Sequence, residues 1–300
     1  MSMVEFASQL AKRCLSDRHV DSLRAAYLAS KRRLAPALRL VYGRFGVAEL
    51  RAHLEQRIGR DFEILMVHSS LNGMQPMFDG SALETVRMLV DFCGPERTLA
   101  MPAFYFGENG EGARAAFERN PRFDLTRTPS QMGLLTELFR RLPGVCVSRH
   151  PVYRIAALGS LAEALTRGHE QASGPAGRGS PFEFMAAHDT CILGLGKPVQ
   201  VLTQAHHTEE WMADEYPVPS REATPVLMTL VERGVEMPFL LRSREVDGRF
   251  DIWRVRKLMA PGTLHEWSFH NVPMFSTRAA DVTRQLVAAA RRGDTLYLPR

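Results

Sequence analysis

The chain has 300 residues, of which 45% are hydrophobic and 24% charged, as in an ordinary soluble globular protein with a substantial core. It contains no apolar run long enough for a transmembrane helix, and Met1–Phe6 lacks the features of a secretory signal. The four cysteines are far apart in sequence, so we expect no zinc or other metal site and a reducing, cytoplasmic location.

The net charge of +5 is concentrated near the N-terminus. Residues 1–45 contain nine Lys or Arg and three Asp or Glu, a net charge of +6, which leaves −1 for residues 46–300. Apolar residues recur there at helical spacing, so we expect a basic amphipathic helical arm that is interrupted near Pro36. Such an arm packs on the body or on a second subunit of a homodimer, or it contacts a membrane surface. It carries no nucleic-acid-binding motif, so we expect no nucleic-acid partner.

From residue 46 onward, strands alternate with helices, which predicts a layered α/β domain over residues 46–300. The long stretch 104–129 is expected to be a loop with little regular structure. The predicted helices are Val47–Ile58, Ala82–Phe92, Met132–Leu142, Leu161–Arg167 and Ala279–Arg291. The predicted strands are Phe62–Val67, Thr98–Pro102, Val145–Val147, Ile155–Gly159, Thr190–Leu195, Thr224–Val231, Phe239–Arg242 and Phe250–Val255.

The spacing Thr203-x-x-His206-x-x-Glu209 follows the strand Thr190–Leu195. On a helix, positions three apart share one face, so these three side chains are within mutual reach. An imidazole beside a carboxylate is suited to act as a general base near neutral pH. The alternative is a solvated helix surface without a chemical role.

Several short motifs precede this element in a fixed order. The ordered set resembles the aminoglycoside 3-N-acetyltransferase family, strongly over residues 60–215 and loosely beyond, with the N-terminal arm outside the resemblance. The motifs of this set are His68-Ser69-Ser70-Leu71, Met101-Pro102, Gly133-x-x-x-Glu137, Ser148-Arg149-His150-Pro151, Ala156-Ala157-Leu158-Gly159, Gly177-x-x-Ser180-Pro181 and Leu193-Gly194-Leu195-Gly196.

The resemblance implies a layered α/β fold and an acetyl-CoA-dependent N-acetyltransferase of the antibiotic-resistance type, acting on a small-molecule amine without a metal. It implies that His206 and Glu209 deprotonate the attacking amine and that Thr203 lies close to the acyl carbonyl. The expected acetyl-CoA contacts are His68, Ser69, Ser70, Leu71, Ser148 and Arg149, and the expected acceptor contacts are Tyr105, Glu137 and Arg154. Glu137 is alternatively the partner of Arg140 in a helical ion pair.

The sequence departs from the family's usual pattern at a few places. Arg154 stands where a serine is usual, Asp79-Gly80 replaces a Gly-Gly pair, and Ala103 replaces a threonine. Arg154 adds a positive charge where a polycationic acceptor would favour carboxylates. We therefore predict an acceptor amine that carries phosphate or carboxylate, such as a nucleotide sugar or a surface-glycan precursor.

Three other functions remain open from the sequence. An O-acyltransferase would transfer the acyl group to an oxygen instead of a nitrogen, with His206 as the same general base. A serine hydrolase would use Ser69 or Ser70 with His206 and Glu209, although no Gly-x-Ser-x-Gly turn is present. A non-catalytic binding protein on this fold would use the basic arm to contact a partner.

Overall fold

The computed structural model describes residues 26, 29–31, 33–108 and 111–298. Most of the predicted basic arm lies outside these residues, and its described part includes helix α1, Ala35–Tyr42. Pro36 lies in the first turn of α1, and Leu34 is a turn residue between the helical Arg33 and α1, so the predicted interruption near Pro36 is confirmed. In the described part of the chain, no helix is both long enough and apolar enough to cross a membrane.

Helices and strands alternate along the body as predicted, and both sets are numbered in chain order. The further helices are α2 Val47–Ile58, α3 Leu71–Met74, α4 Ala82–Cys93, α5 Ala113–Arg119, α6 Leu134–Phe139, α7 Ala162–Thr166, α8 Pro181–Ala187, α9 Gln204–Met212, α10 Val255–Leu258 and α11 Ala279–Arg291. The strands are β1 Ile64–Ser69, β2 Thr98–Pro102, β3 Arg122–Asp124, β4 Cys146–Val147, β5 Ile155–Gly159, β6 Thr190–Leu195, β7 Ser220–Glu222, β8 Val226–Glu232, β9 Val235–Leu241, β10 Arg244–Val246, β11 Arg249–Phe250, β12 Leu264–Phe269, β13 Val272–Arg278 and β14 Tyr297–Leu298.

A seven-stranded sheet in the order β12-β13-β6-β1-β2-β5-β4 forms the centre of the molecule. Strands β6, β1 and β2 are parallel, and antiparallel strands complete both sides. All six residues of β1 are buried, and they alternate between two cores: Leu65 and Val67 face one, Ile64 and Met66 the other. Helices cover both faces, so the predicted layered α/β fold is confirmed.

The parallel strands position the site because their carboxyl ends lie side by side. The loop after β1 meets the loop after β6, where the Ser70 N–H donates to the Leu195 carbonyl at 2.8 Å. A Cβ on Gly73 would lie 2.0 Å from the Gly196 carbonyl oxygen, so the two backbones can approach this closely only without that side chain. Crevices outside the carboxyl ends of such strands are where α/β proteins bind ligands.

Three predictions for the less regular regions were wrong. The stretch 104–129 contains α5 and β3, and β3 joins β8 and β9 in a separate three-stranded sheet with its own core. The expected strand Phe250–Val255 is a strand only through Phe250, followed by the 3₁₀ turn Ile252–Arg254 and α10. Strands β12 and β13 had no counterpart in the sequence-based prediction, and they extend the central sheet beyond β6.

Candidate active site

A cavity of about 310 Å³ opens at the carboxyl ends of the parallel strands. The ends of β1 and β2 contribute one wall of this cavity, and the start of α9 contributes another. We call it the larger cleft. Its lining includes His68, Ser69, Pro102, Phe104, Phe106, Gln131, Met132, Tyr153, Lys197, Gln200, Thr203, His206, Phe250 and Ile252.

His206 and Glu209 form a hydrogen-bonded pair at the mouth of this cleft. Both lie on α9 three residues apart, and His206 Nδ1 is 3.1 Å from Glu209 Oε1. The two side chains are 26% and 14% exposed, so the pair is accessible but mostly shielded from water. With Nδ1 directed at the carboxylate, Nε2 lies on the opposite edge of the ring. This is the arrangement of a base oriented by a carboxylate.

Opposing effects determine the pKa of His206. Burial lowers it, but the hydrogen bond and charge of Glu209, with the charge of Glu210, outweigh burial and raise the pKa above its usual value. An imidazole that takes up a proton more readily than usual is a stronger base. The geometry therefore gives His206 the properties expected of a proton acceptor.

A second cavity, of about 220 Å³, is also lined by His206, and we call it the smaller cleft. His206 and Tyr153 line both cavities, so the imidazole stands where the two spaces meet. The rest of the smaller cleft is lined by Val152, Pro175, Glu209, Glu210, Tyr216, Ser220, Ser243, Arg244 and Val246. Two molecules bound in the two clefts would both reach the base.

Glu210 gives the smaller cleft a second carboxyl group. Its Oε2 accepts the Ala176 N–H at 2.8 Å. Burial, together with the charge of Glu209, raises the pKa of Glu210 to about 8, against the lowering effect of the Ala176 N–H. The carboxyl group is therefore mostly protonated at neutral pH unless a cation lies beside it.

Aromatic rings enclose the imidazole of His206. Phe250 stacks on it with ring centroids 4.5 Å apart and planes 23° apart, and the Tyr153 ring lies 6.2 Å away. Sequence reasoning missed both rings. Phe250 begins a region interpreted as an ordinary strand, and Tyr153 is adjacent to Arg154 without any periodic pattern, so no local signal singled them out.

Two of the predicted acetyl-CoA residues line the larger cleft. His68 is only 5% exposed, and burial, together with the charge of Lys197, lowers its pKa to about 3, so its imidazole stays neutral. Ser69 follows it at the end of β1 and also lines the cleft. Lys197, after β6, places a cation in the same lining and was not singled out from the sequence.

Thr203 lies where the sequence predicted, at the start of α9 and in the lining of the larger cleft. Its hydroxyl donates to the Val201 carbonyl at 3.2 Å. This geometry brings Thr203, His206 and Glu209 together in one region of the site.

Arg154 does not face either cleft. It is fully buried, donates to the Leu125 carbonyl at 2.9 Å and the Thr128 carbonyl at 3.2 Å, and its guanidinium lies 4.9 Å from the centre of the Phe123 ring. A fully enclosed guanidinium cannot contact an acceptor, so the prediction that Arg154 binds the acceptor is wrong. Arg154 instead holds the segment after β3 against the body.

Ser148 also lies away from the clefts, which corrects its predicted contact with acetyl-CoA. It is 1% exposed, its hydroxyl lies 2.9 Å from His169 Nδ1, and it accepts the Ile155 N–H at 2.9 Å. All of its hydrogen-bonding capacity serves the packing of neighbouring segments.

The remaining predicted contacts are not brought to the two clefts. Ser70 accepts the Gly73 N–H and so begins α3, and Leu71 packs against the core. The others are held elsewhere: Glu137 pairs with Arg140 and Arg141, Arg149 pairs with Glu232, and Tyr105 packs on Phe117 and Phe123 beside another cavity, of about 440 Å³.

Comparison with known proteins identifies similar chains. The family described as aminoglycoside 3-N-acetyltransferase matches residues 66–289. Aminoglycoside N(3)-acetyltransferase III of a Salmonella species is 32% identical over 185 residues, which cover 56% of this chain and 64% of that protein. The chain thus matches less than two thirds of this relative's length.

Solved structures share the fold. AAC-VIa bound to sisomicin superposes with a TM-score of 0.68 at 21% identity, covering 84% of this chain and 99% of that one. AAC-IIIb in a binary complex with CoASH superposes with a TM-score of 0.67 at 22% identity, covering 85% and 99%.

Proposed function

Because the chain belongs to the aminoglycoside 3-N-acetyltransferase family, we propose that it transfers an acetyl group from acetyl-CoA to an amine of an aminoglycoside or a related amino sugar. The observation that carries this proposal is the position of His206. Its imidazole lies between two cavities and is paired with Glu209 at 3.1 Å. A base at the junction of two clefts suits a reaction that joins two substrates.

We assign acetyl-CoA to the larger cleft. This cleft lies at the ends of the parallel strands, and Lys197 supplies a cation suited to the phosphates of the cofactor. Phe104, Met132 and Phe106 provide apolar lining for the pantetheine chain. In this placement the acyl end reaches toward Thr203 and His206, where the second cleft begins.

The proposed reaction proceeds by direct transfer. The free amine attacks the thioester carbonyl, His206 Nε2 accepts the proton that the nitrogen loses, and a C–N bond forms. The tetrahedral intermediate collapses with cleavage of the C–S bond, and His206 returns the proton to the departing thiolate of CoA. The Thr203 hydroxyl, once it turns from the Val201 carbonyl to the intermediate, is a suitable donor to the oxyanion, and one well-placed donor lowers the barrier by about 3 kcal/mol.

The smaller cleft is assigned to the acceptor. Glu209 and Glu210 line it beside Arg244, and the Glu210 carboxyl group ionises when a cation lies next to it, so the cleft favours an acceptor that brings a positively charged amine. Arg154, the residue that would favour an acceptor with phosphate or carboxylate, is enclosed in the core. We therefore favour a polyamine acceptor such as an aminoglycoside.

The test is release of the CoA thiol from acetyl-CoA in the presence of sisomicin, gentamicin or simple amino sugars. Matched sugars that carry hydroxyls in place of the amines distinguish acetyl transfer to nitrogen from acetyl transfer to oxygen. Acceptor-dependent thiol release, with one acetyl group gained by the amine and activity lost in His206→Ala, is the expected result. Thiol release without an acylated acceptor would indicate a hydrolase. No release and no thermal stabilisation by CoA would indicate a binding protein.

We also propose that the N-terminal arm contacts the cytoplasmic face of an anionic membrane. The described helix α1 leaves Leu40 87% and Val41 71% exposed, while Arg39 ties it to the body through the Pro76 carbonyl and Asp79. Exposed apolar side chains on a segment with a net charge of +6 are typical of a helix at a lipid surface.

Sedimentation with vesicles tests this contact. Binding to phosphatidylglycerol vesicles, weak binding to phosphatidylcholine vesicles, and loss of binding on replacing Leu40 and Val41 by serine are expected. Leu134→Ser, at a 58% exposed position on α6, is the matched control. Dimerisation that is lost in the Leu40 and Val41 variant, without vesicle binding, would instead assign this face to a second copy of the chain.

A further inference from the structure

Helix α9 carries a second His-x-x-Glu pair, one position after the pair of His206 and Glu209. His207 and Glu210 are also three residues apart, so they share a face of α9, turned by about 100° from the face of the first pair. His207 is 1% exposed and lines neither of the two clefts, so it does not touch a substrate bound there. The proposed reaction uses the first pair and leaves His207 without a role.

Both side chains of the second pair bind the same buried residue, Ala176. His207 Nδ1 lies 2.6 Å from the Ala176 carbonyl oxygen, and Glu210 Oε2 accepts the Ala176 N–H at 2.8 Å. A carbonyl oxygen can only accept, so Nδ1 of His207 carries the proton and is the donor. Burial lowers the pKa of His207, which keeps the imidazole neutral with this single N–H. Helix α9 therefore holds Ala176 by both its N–H and its carbonyl.

Ala176 belongs to a small closed loop, Ser173–Arg178. The Ser173 N–H donates to the Arg178 carbonyl at 2.9 Å, and the Arg178 N–H donates to Ser173 Oγ at 2.9 Å, which closes the loop at its base. A Cβ on Gly174 would lie 2.4 Å from Glu210 Oε2. The loop can approach the Glu210 carboxyl group this closely only because position 174 is glycine.

Glu210 links this loop to the proposed acceptor site. It lines the smaller cleft, as does Pro175, the residue before Ala176. The Pro175 carbonyl has its own donor, His169 Nε2 at 2.9 Å, so the contact of His207 acts on Ala176. Without His207 the buried Ala176 carbonyl would lose this donor, and a buried carbonyl without a partner is costly. A shift of Ala176 that relieved this cost would also move its N–H away from Glu210.

We propose that His207 is a positioning residue that fixes Ala176 and thereby orients the Glu210 carboxyl group toward a charged amine of the acceptor. This inference rests on the proposed function. The amine that reacts is uncharged, so Glu210 serves a second amine of the acceptor. In this account the first pair on α9 acts on the attacking nitrogen, and the second pair acts on the binding of the acceptor.

The variants His207→Leu and His207→Asn test the proposal, because leucine removes the donor and asparagine supplies another N–H. We expect His207→Leu to raise the KM for sisomicin about tenfold, with kcat and the KM for acetyl-CoA changed by less than about twofold. His207→Asn should restore most of the loss.

His53→Leu is the matched control for His207→Leu. It also removes one hydrogen bond of a histidine, the 2.9 Å bond that Trp267 Nε1 donates to His53 Nε2, and His53 lines neither cleft. The KM for sisomicin should stay at the wild-type value in this variant. A wild-type KM in folded His207→Leu, or an equal rise in His53→Leu, would overturn the proposal.

Gly174→Ala disturbs the same contact from the loop and keeps the proposal testable if His207→Leu does not fold. Its Cβ would displace Glu210 Oε2 from the Ala176 N–H, so the KM for sisomicin should rise here as well. In a Glu210→Ala background neither Gly174→Ala nor His207→Leu should raise this KM further. A wild-type KM in Gly174→Ala, or a further tenfold rise in the Glu210→Ala background, would contradict an action through Glu210.

Amide hydrogen exchange gives a readout that does not need turnover. Exchange in residues 173–178 should be faster in His207→Leu than in the wild type and unchanged in His53→Leu. Wild-type exchange of this segment in His207→Leu would refute the inference. Faster exchange in His207→Leu, together with a wild-type protein that acetylates no acceptor, would refute the proposed function alone.

Discussion

His206 and His169 are both enclosed by neighbouring side chains, but they differ in their partners and in their access to a cavity. His206 pairs with the carboxylate of Glu209 and lines two clefts. His169 is 0% exposed, with Nδ1 at 2.9 Å from Ser148 Oγ and Nε2 at 2.9 Å from the Pro175 carbonyl. Burial lowers the pKa of His169 to about 4, whereas that of His206 is raised.

The difference shows what a histidine needs in order to act as a base, the role that we propose for His206. The Nε2–H of His169 donates a hydrogen bond to the Pro175 carbonyl, so Nδ1 accepts a hydrogen bond from the Ser148 hydroxyl, and both ring nitrogens are occupied. The Ser148–His169 pair resembles part of a nucleophilic site in residue type, yet it has no path to a substrate. A carboxylate partner and a cavity beside the ring matter more than the residue types.

The largest effect expected from this comparison is the loss of activity in His206→Ala. Removing a general base lowers kcat by about 10² to 10⁴-fold. The thermal midpoint should stay close to that of the wild type, because the ring is partly exposed and lies beside cavities. Steady-state kinetics measure kcat, and a thermal scan measures the midpoint of unfolding. A loss of less than tenfold would mean that His206 is not the base.

Arg154→Ala should act on stability and not on the acceptor. The substitution leaves the Leu125 and Thr128 carbonyls without their donor and removes the guanidinium from Phe123, so we expect a loss of about 3 kcal/mol in the free energy of unfolding. Urea denaturation measures this loss. Arg149→Ala, at an exposed ion pair, is the control, with a change below about 1 kcal/mol. A raised acceptor KM in folded Arg154→Ala would restore its predicted role in binding.

His169→Ala tests whether His169 has only a structural role. Loss of its two buried hydrogen bonds should lower the free energy of unfolding by about 2 kcal/mol. The folded fraction should keep kcat within a few-fold of the wild type, because no substrate reaches this ring. Activity per folded molecule, from kinetics corrected for the folded fraction, is the relevant quantity. A hundredfold loss of kcat there would contradict a purely structural role.

Glu210→Gln should change stability by an amount that depends on pH. The folded-state pKa of Glu210 is raised to about 8, so the wild type loses stability as pH rises from the unfolded pKa toward 8. Glutamine does not titrate, so the stability of the variant relative to wild type should increase over this range, by at most about 1.4 kcal/mol per pH unit. Thermal midpoints of the variant and the wild type at pH 5 and pH 8 test the direction of this change. If the variant and the wild type differ by the same amount at both pH values, the raised pKa of Glu210 is contradicted.

The sequence predicted those parts of the site that lie on one regular element. Thr203, His206 and Glu209 follow helical spacing, and the strand ends at Ser69 and Pro102 were visible as apolar runs that stop. These features depend on local periodicity, which a single sequence records.

Other parts depend on contacts between distant segments. Phe250 reaches His206 from the final 51 residues of the chain, and no local pattern links it to α9. The inward direction of Arg154 is set by the Leu125 and Thr128 carbonyls of the segment after β3. The edge strand β12 has alternating partial exposure without a clear apolar face, which explains why it was missed.

The pH dependence of kcat/KM in the wild type and in Glu209→Gln tests whether His206, with its pKa raised by Glu209, is the base. His206 acts as a base only when neutral, so activity falls as pH drops through its pKa, which Glu209 raises above about 6.5. Without the carboxylate, burial dominates, and the acidic limb of Glu209→Gln should lie at lower pH, with a reduced maximum. If both enzymes have the same acidic limb, Glu209 does not raise the pKa of the catalytic base, and the proposal is contradicted.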